Sequence, residues 1–404
     1  MSKLTTADPA PQVRSCDVTL ALRVRVREAI EAVIEEELAA ALGCAKGERS
    51  ASRAGDRHGY GGGRRKVLTE YGPAELLIPR ARLRNADGST SEWHSSVLPR
   101  YQRRTQKVDA ALLGTYLAGG NTRRLRTALA PLLGQDMLSR SAISRITGRL
   151  QSLFEEWRRR DLSQETLAVV YFDGIYLPVR LAKRVVKVPV LIALGVREDG
   201  QKVLVAMQLV SGETTVGWAS LITDLARRGL AAPALVIVDG NPGLLGALRK
   251  EWPQVKIQRC IKHKWENLKA HAPKHAHREM KRDYDAVVMA DGLSAARQAY
   301  ASFVKKWTSL CPSAVRSLEE AGTDLLTYYQ FPRSQWKCLR TTNALERLNG
   351  ELRRRTKTQG SFRQESSALV LLWGLVAFGQ IKLRKIDGWK DMTKTLKLAW
   401  QEAA

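Results

Sequence analysis

Apolar residues recur in two rhythms along this chain, and the changes of rhythm divide it. Between Val18 and Leu42, the residues Val26, Ile30, Val33, Ile34 and Leu38 return at helical spacing and Gly43 ends the run. That pattern predicts a helix in an N-terminal helical region, 1–54. Gly55–Arg65, GDRHGYGGGRR, is too rich in glycine for a regular element. It also lacks the preceding strand, the following helix and the Lys-Ser/Thr of a phosphate-cradling loop, so it reads as a flexible basic connection. Lys66–Thr69 and Ala74–Pro79, either side of Tyr71-Gly72-Pro73, predict a small sheet or hairpin and complete a linker and small β region over 55–99.

From 100 to 160 the helical period returns. Val108–Leu117 ends at Gly119-Gly120, Thr122 is placed to cap Arg123–Leu133, and a third helix starts near Ser139 and runs to Arg160. Three helices with short breaks have the layout of a helix-turn-helix. On the third, Ile143, Ile146, Leu150, Leu153 and Trp157 share one face, which leaves Arg140, Ser141, Ser144 and Arg145 as candidates for a DNA major groove. A plain helical hairpin with a solvated basic face fits the same spacing.

Beyond Leu167 the period shortens to two. Leu167–Val179 alternates, Val185–Val196 is a near-continuous β-branched run, and Lys202–Val210 is a third strand, which together predict an antiparallel meander. Thr214 or Thr215 caps a helix to about Arg228, Ala234–Val238 is a short buried strand, Asn241-Pro242 opens another helix, and Val255–Cys260 is a last strand. The order β-β-β-α-β-α-β describes an α/β domain with a mixed five-stranded sheet. After His263 the pattern is helical almost to Ala404, with breaks near Pro273, Gly292, Pro312, Pro332 and Gly360.

Composition narrows the partner. The 404 residues hold 66 Lys and Arg against 40 Asp and Glu, a net charge of +26, with an ordinary 44% of apolar residues. A globular chain with that excess favours a polyanion, and nucleic acid comes before an acidic membrane because no lipid signal accompanies it. The first residues have no apolar core of a signal peptide, and the longest apolar run, Ala368–Phe378, is too short to span a bilayer, so a cytoplasmic protein is expected. Five scattered cysteines fit reduced thiols better than a disulfide framework.

Three carboxylates stand out. Asp173 lies within the first strand and Asp239 ends the fourth, both among apolar neighbours where a lone carboxylate needs a partner or a cation. Asp-Gly is also a turn signal. Continued alternation through Ile175, Leu177 and Val179 argues against a turn at Asp173, whereas at Asp239 both readings stand. Glu346, in RTTNALERLNGELRRRTK, follows Asn343 by three residues, the spacing of a capping box with Asn343 as cap. Yet Lys337–Arg363 holds eight Lys/Arg against two Glu, a field in which phosphates gather. Carboxylates from two strands and a helix are the ligands of two-metal phosphodiester chemistry.

YFDGIYLPVR, LVIVDGNPGLLGALRKEWPQVKIQRCIKHKWENL and FPRSQWKCLRTTNALERLNGELRRRTKTQGSF, in that order, resemble the DDE transposases of bacterial insertion sequences of the Mutator type, over residues 55–385. The resemblance implies an RNase H-like catalytic core, 161–263 with 340–385, interrupted by a helical insertion, 264–339, and followed by a tail, 386–404. It implies Asp173, Asp239 and Glu346 as a catalytic triad holding two Mg²⁺ ions, with Mn²⁺ as a substitute. Asn343, Arg347 and Asn349 match the block around the Glu as supporting or DNA-contacting residues, and Arg353, Arg354 and Arg355 extend that basic block. TQGSFRQE departs from the family's usual VxGxFPN.

The expected activity is binding of the terminal inverted repeats of an element as double-stranded DNA, cleavage to expose a 3′-OH, and transfer of that hydroxyl into target DNA. Transfer of paired ends implies a homodimer on DNA, through the Val18–Leu42 helix or the insertion, in a protein that associates with the nucleoid. A non-catalytic DNA-binding regulator and a metal-dependent nuclease without strand transfer are the alternatives. Cys260 and His263 head the run C-x2-H-x7-H-x3-H through His271 and His275, which has zinc-ligand types at a non-standard spacing. The resemblance places such a Cys and His next to the catalytic core, where they position DNA or brace the sheet, and a packed, satisfied Cys/His pair is the third reading.

Overall fold

The computed structural model describes residues 15–48, 50, 52–61, 64–117, 140–181, 184–212, 214–357 and 365–401. The chain forms two compact units, one made of residues 1–116 and 120–148 and the other of 117–119 and 149–404.

In the first unit, helix α1 (Ser15–Leu42) is longer than expected. Its C-terminal half drives Ile34, Leu38 and Leu42 into a core with Val67, Leu76, Ala81 and Trp93, while Val33, expected on the inner face, is exposed. That core is closed by β1 (Gly55–Tyr60), β2 (Arg65–Thr69), β3 (Gly72–Leu76), β4 (Pro79–Arg84) and β5 (Thr90–Glu92). β2 and β3 are the anticipated hairpin, and β1-β4-β5 is a second antiparallel sheet. The glycine-rich segment is therefore not a flexible connection over Gly55–Tyr60. A Cβ on Gly55 would meet the Arg82 carbonyl at 2.1 Å, and Gly59, at φ +70°, takes up the register shift between Arg57 and Tyr60. Glycine here permits pairing instead of preventing it. Helix α2 (Gln106–Leu117) matches its expectation, whereas Thr122 and Arg123–Leu133, the middle of the expected helix-turn-helix, lie outside the described residues.

Helix α3 (Arg140–Arg159) buries Leu150 and Phe154, and Phe154 stacks on Trp157 with ring centroids 5.8 Å apart. Next comes the five-stranded mixed sheet, in the order β10-β9-β6-β7-β8. Strands β6 (Leu167–Leu181), β7 (Arg184–Arg197) and β8 (Lys202–Leu209) form the meander, and β9 (Leu235–Val238) and β10 (Lys256–Arg259) add to β6 in parallel. Helices α4 (Thr215–Arg227), capped by the Thr214 hydroxyl, and α5 (Pro242–Glu251), capped by Asn241 with Pro242 in its first turn, supply the crossovers. They cover one face of the sheet, where Trp218, Ile222 and Leu244 join Val170, Phe172 and Val236 in one core, and Phe172 meets Trp218 edge to face.

The helical segment comprises α6 (Ile261–His271), α7 (His277–Val288), α8 (Leu293–Leu310), α9 (Pro312–Ala321) and the short α10 (Trp336–Leu339). Buried Gln258 of β10 fastens it to the sheet, donating to the Leu325 carbonyl at 2.9 Å and accepting from the Tyr328 amide at 2.7 Å. Helices α11 (Asn343–Thr356), α12 (Glu365–Ala377) and α13 (Met392–Gln401) follow. The segment expected as a tail is part of this unit: Met392 and Thr395 are fully buried, and Thr395 donates to Gln335 at 2.6 Å. Among the described residues no helix is long and apolar enough to cross a membrane, and Cys44, Cys260, Cys311 and Cys338 are free thiols.

Candidate active site

The site begins with strand register. β6 and β9 run parallel with Val169 opposite Leu235, Val170 opposite Val236 and Tyr171 opposite Ile237. Two residues further along each strand bring Asp173 and Asp239 level on neighbouring strands, whose spacing is about 4.8 Å. Side chains alternate, so Asp173 shares the face of Tyr171, opposite to the one on which Phe172 packs against α4. Asp239 closes no hairpin. Its Oδ1 accepts from the Asn241 amide at 3.0 Å, and Gly240, at φ +101°, turns the chain from strand into α5.

Helix α11 packs against β6 and brings the third carboxylate. Asn349, buried in the middle of that helix, donates from Nδ2 to Asp173 Oδ2 at 2.9 Å. Glu346 is one turn earlier, and residues three apart lie on the same side of a helix, about 5–6 Å apart at Cβ. The expected capping role does not hold. Thr342 is the residue before the helix, Asn343 is its exposed first residue, and Glu346 is fourth, one position beyond that of a capping-box acid. The carboxylate of Glu346 instead accepts from Lys262 Nζ and from the Thr342 hydroxyl at 3.4 Å, and lies 3.9 Å from His263 Nε2.

Cys260 lies between β10 and α6, and His263 is in the first turn of α6. The Cys260 amide donates to the Val238 carbonyl at 2.7 Å, and its buried sulfur accepts from the Thr342 amide at 3.4 Å, so one residue ties β9 to the start of α11. The His263 imidazole is pushed up to about 9 by its hydrogen bond with Cys260, against the effect of burial, and the Asp173 and Asp239 carboxylates add to the rise. The charged form of the imidazole is thereby favoured, inside the field of both aspartates. Burial resists ionisation of the Cys260 thiol, yet its bonds with His263 and Thr342 hold it below its ordinary value. Cys260, His263 and Glu346 offer ligand atoms within 4.8 Å of one another. Among the described residues His271 and His275 do not join them, so the linear C-x2-H-x7-H-x3-H set is not assembled.

The other sequence candidates divide. Arg347 and Arg353 are exposed on α11, as is Arg354, which pairs with Glu351. Arg355 is half-buried, donates to the Gln380 carbonyl at 2.7 Å and lies 3.7 Å from Glu351. Ser144 and Arg145 are exposed on α3, on whose first turn Arg140 and Ser141 lie. Sequence reasoning passed over two features. One is Lys262, the partner of Glu346, although it stands between Cys260 and His263. The other is the pairing of buried Arg259 and Lys264 with Glu320 of α9, at 2.8 and 2.6 Å.

The donor set fits hard divalent cations. Carboxylates are oxygen ligands of the kind such ions take, and the Oδ1 of buried Asn349, beside Asp173, has no protein partner, as suits an acceptor for a metal-bound water.

Sequence comparison relates the chain to known proteins. The family model described as "Transposase, Mutator family" matches residues 7–380. The transposase for insertion sequence element ISRM5 of Rhizobium meliloti (strain 1021) is 32% identical over 390 residues, 95% of this chain and 94% of the relative. The transposase for IS406 of Burkholderia multivorans is 32% identical over 359 residues, 88% of this chain and 89% of the relative. The transposase for IS256 in transposon Tn4001 of Staphylococcus aureus is 31% identical over 327 residues, 80% of each chain. The chain belongs to the Mutator family of insertion sequence transposases.

Proposed function

We propose that this protein recognises the terminal inverted repeats of its own insertion sequence, cleaves there to expose a 3′-OH, and joins that hydroxyl to target DNA. The carrying observation is the level placement of Asp173 and Asp239 on adjacent parallel strands, with the helix of Glu346 hydrogen-bonded onto Asp173 through Asn349. On this reading the five-stranded sheet is of the RNase H-like type, and Asp173, Asp239 and Glu346 would hold two Mg²⁺ ions. Such a pair, when bound, supplies a Lewis acid and a nucleophile activated near neutral pH.

The protein's own groups do the positioning. Asn349 fixes the rotamer of Asp173, and Cys260 and Thr342 fix α11 against the strands. A protonated His263 would offset repulsion among the carboxylates, and Lys262, released from Glu346, would be free to meet a phosphate. Ser144 and Arg145 on α3 are candidates for base-edge contacts, with Arg140 and Ser141 beside them in sequence. The N-terminal half of α1 exposes Val18, Leu20, Leu22 and Val24, which supports pairing of two copies on DNA.

The test is a gel assay with duplexes carrying the element end and Mg²⁺. The wild-type chain should nick at the end and transfer the strand, and Glu346→Gln should abolish both while binding and folding survive. Nicking without transfer would reduce the protein to a nuclease, and equal activity of Glu346→Gln would overturn the triad.

A further inference from the structure

We infer that the end of the β6–β7 hairpin is a DNA-gripping arm that lies along duplex DNA delivered to Asp173 and Asp239. The inference rests on the proposed function and adds a contact surface to it. β6 and β7 pair from Leu167 opposite Arg197 to Leu181 opposite Arg184. Their neighbours stop much earlier: β9 pairs with β6 only as far as Tyr171, and β8 with β7 only from Val190 onward. From Tyr176 opposite Pro189 outward, the sheet is therefore a two-stranded ribbon. It continues for eight residues past Asp173, a reach of about 26 Å at 3.3 Å per residue. DNA that runs from Asp173 towards the hairpin end lies along it.

The ribbon is two-faced. Leu177, Val179 and Val188 are buried on one side. On the other, the Phe172 side of the sheet, Tyr176 is 48% exposed and Val185 52%, and Lys187 is exposed opposite Pro178; Arg184, paired with Leu181 on the Asp173 side, is exposed as well, so the outer end of β7 shows cations on both faces. The charge is of one sign: Arg180, Lys183, Arg184 and Lys187 fall within eight residues, and no acid occurs from Gly174 to Val196. Four cations and no anion disfavour docking of a second, identical ribbon and favour a polyanion. A two-stranded β-ribbon fits the major groove, which is about 12 Å wide. Lysine and arginine at its tip would bind phosphate without reading sequence, which suits flanking or target DNA better than the repeat.

Full-length protein with Arg184→Ser and Lys187→Ser together should bind a 40-bp random-sequence duplex with a shallower salt dependence. Each lost phosphate contact removes about 0.9 from the slope of log K against log[KCl], so the double variant should lose about 1.8. Both positions are exposed, so the thermal midpoint should not move. A photoreactive residue at Val185 should crosslink to the same duplex. An unchanged slope and absent crosslinking, in a variant that still binds DNA, would overturn the arm whatever happens to self-association. Failure of the wild-type chain to bind duplex DNA at all would instead overturn the proposed function.

Discussion

Asn349 Nδ2 donates to Asp173 Oδ2 at 2.9 Å, so the helix that carries Glu346 is latched to the strand that carries the first aspartate. The bond joins residues 176 positions apart and crosses the whole helical insertion. Asn349→Ala should leave folding intact and lower cleavage by about 10–100-fold, the usual cost of losing a group that orients a metal ligand. Asn349→Asp should lose more, since it sets a like charge against Asp173. Single-turnover cleavage at saturating DNA distinguishes this from a binding defect, and a wild-type rate for the alanine variant would remove the latch from the mechanism.

The ammonium of Lys262 competes with any cation that Glu346 would take. Replacing it with Met should lower the Mg²⁺ concentration for half-maximal cleavage by about 2–5-fold, since an ion pair with a half-exposed lysine is worth no more than ~1 kcal/mol. A Mg²⁺ titration of both proteins measures the shift, and a higher requirement in the variant would contradict the competition.

Glu320 has an acid-sensitive role. Burial works against its charge, but hydrogen bonds from Arg259 and Lys264 hold its carboxyl down at about 2, from an ordinary 4.5. The folded value is the lower one, so its contribution is present in full above about 4.5 and is lost as the pH falls towards about 2. Glu320→Gln should flatten the acid limb of the stability curve. At neutral pH it should cost about 2–3 kcal/mol, less than for a fully enclosed pair because the carboxylate is half exposed. Urea unfolding at pH 7 and pH 3 gives both numbers, and identical losses at the two pH values would refute the assignment.

Gly240→Ala should be among the most damaging small substitutions. Its φ of +101° disfavours any side chain, and a new Cβ would lie 2.0 Å from the Arg259 guanidinium, which Glu320 holds in place. Loss of soluble protein, or a midpoint lowered by at least about 4–8 °C, is expected for a cost above ~2 kcal/mol in a unit of this size. A midpoint within a degree of wild type would show that Arg259 moves aside.

Much of the large unit was legible in the sequence because its elements obey one period each. The alternation from Leu167, the β-branched run from Val185 and the Asn241-Pro242 helix start all carry local signals, and they appear in the structure within a residue or two. Asp173 and Asp239 stood out for the same reason, as charges interrupting apolar strands. What escaped depends on residues distant in sequence. Lys262 meets Glu346 across 84 positions, Arg259 meets Glu320 across 61, and β1 exists because β4 pairs with it. Glycine at 55 and 59 looked like a break because its local preference is for freedom, and the strand becomes visible only once Arg82 is in view. Asn343 drew the capping role by residue type, but the backbone enters the helix at Thr342.

The long β6–β7 ladder also constrains how the gene can change length. Inserting or deleting one residue between Tyr171 and Asp173 would turn the carboxylate to the Phe172 side of the sheet, into the apolar core beneath α4. Fourteen paired positions make it costly for the strand to slide back and absorb such an error. Matched gains or losses of one residue in each strand beyond Tyr176 and Pro189 would leave that register untouched. Reading-frame-preserving length variation among descendants of this element should therefore collect in the outer hairpin and be purged from the few residues on either side of Asp173.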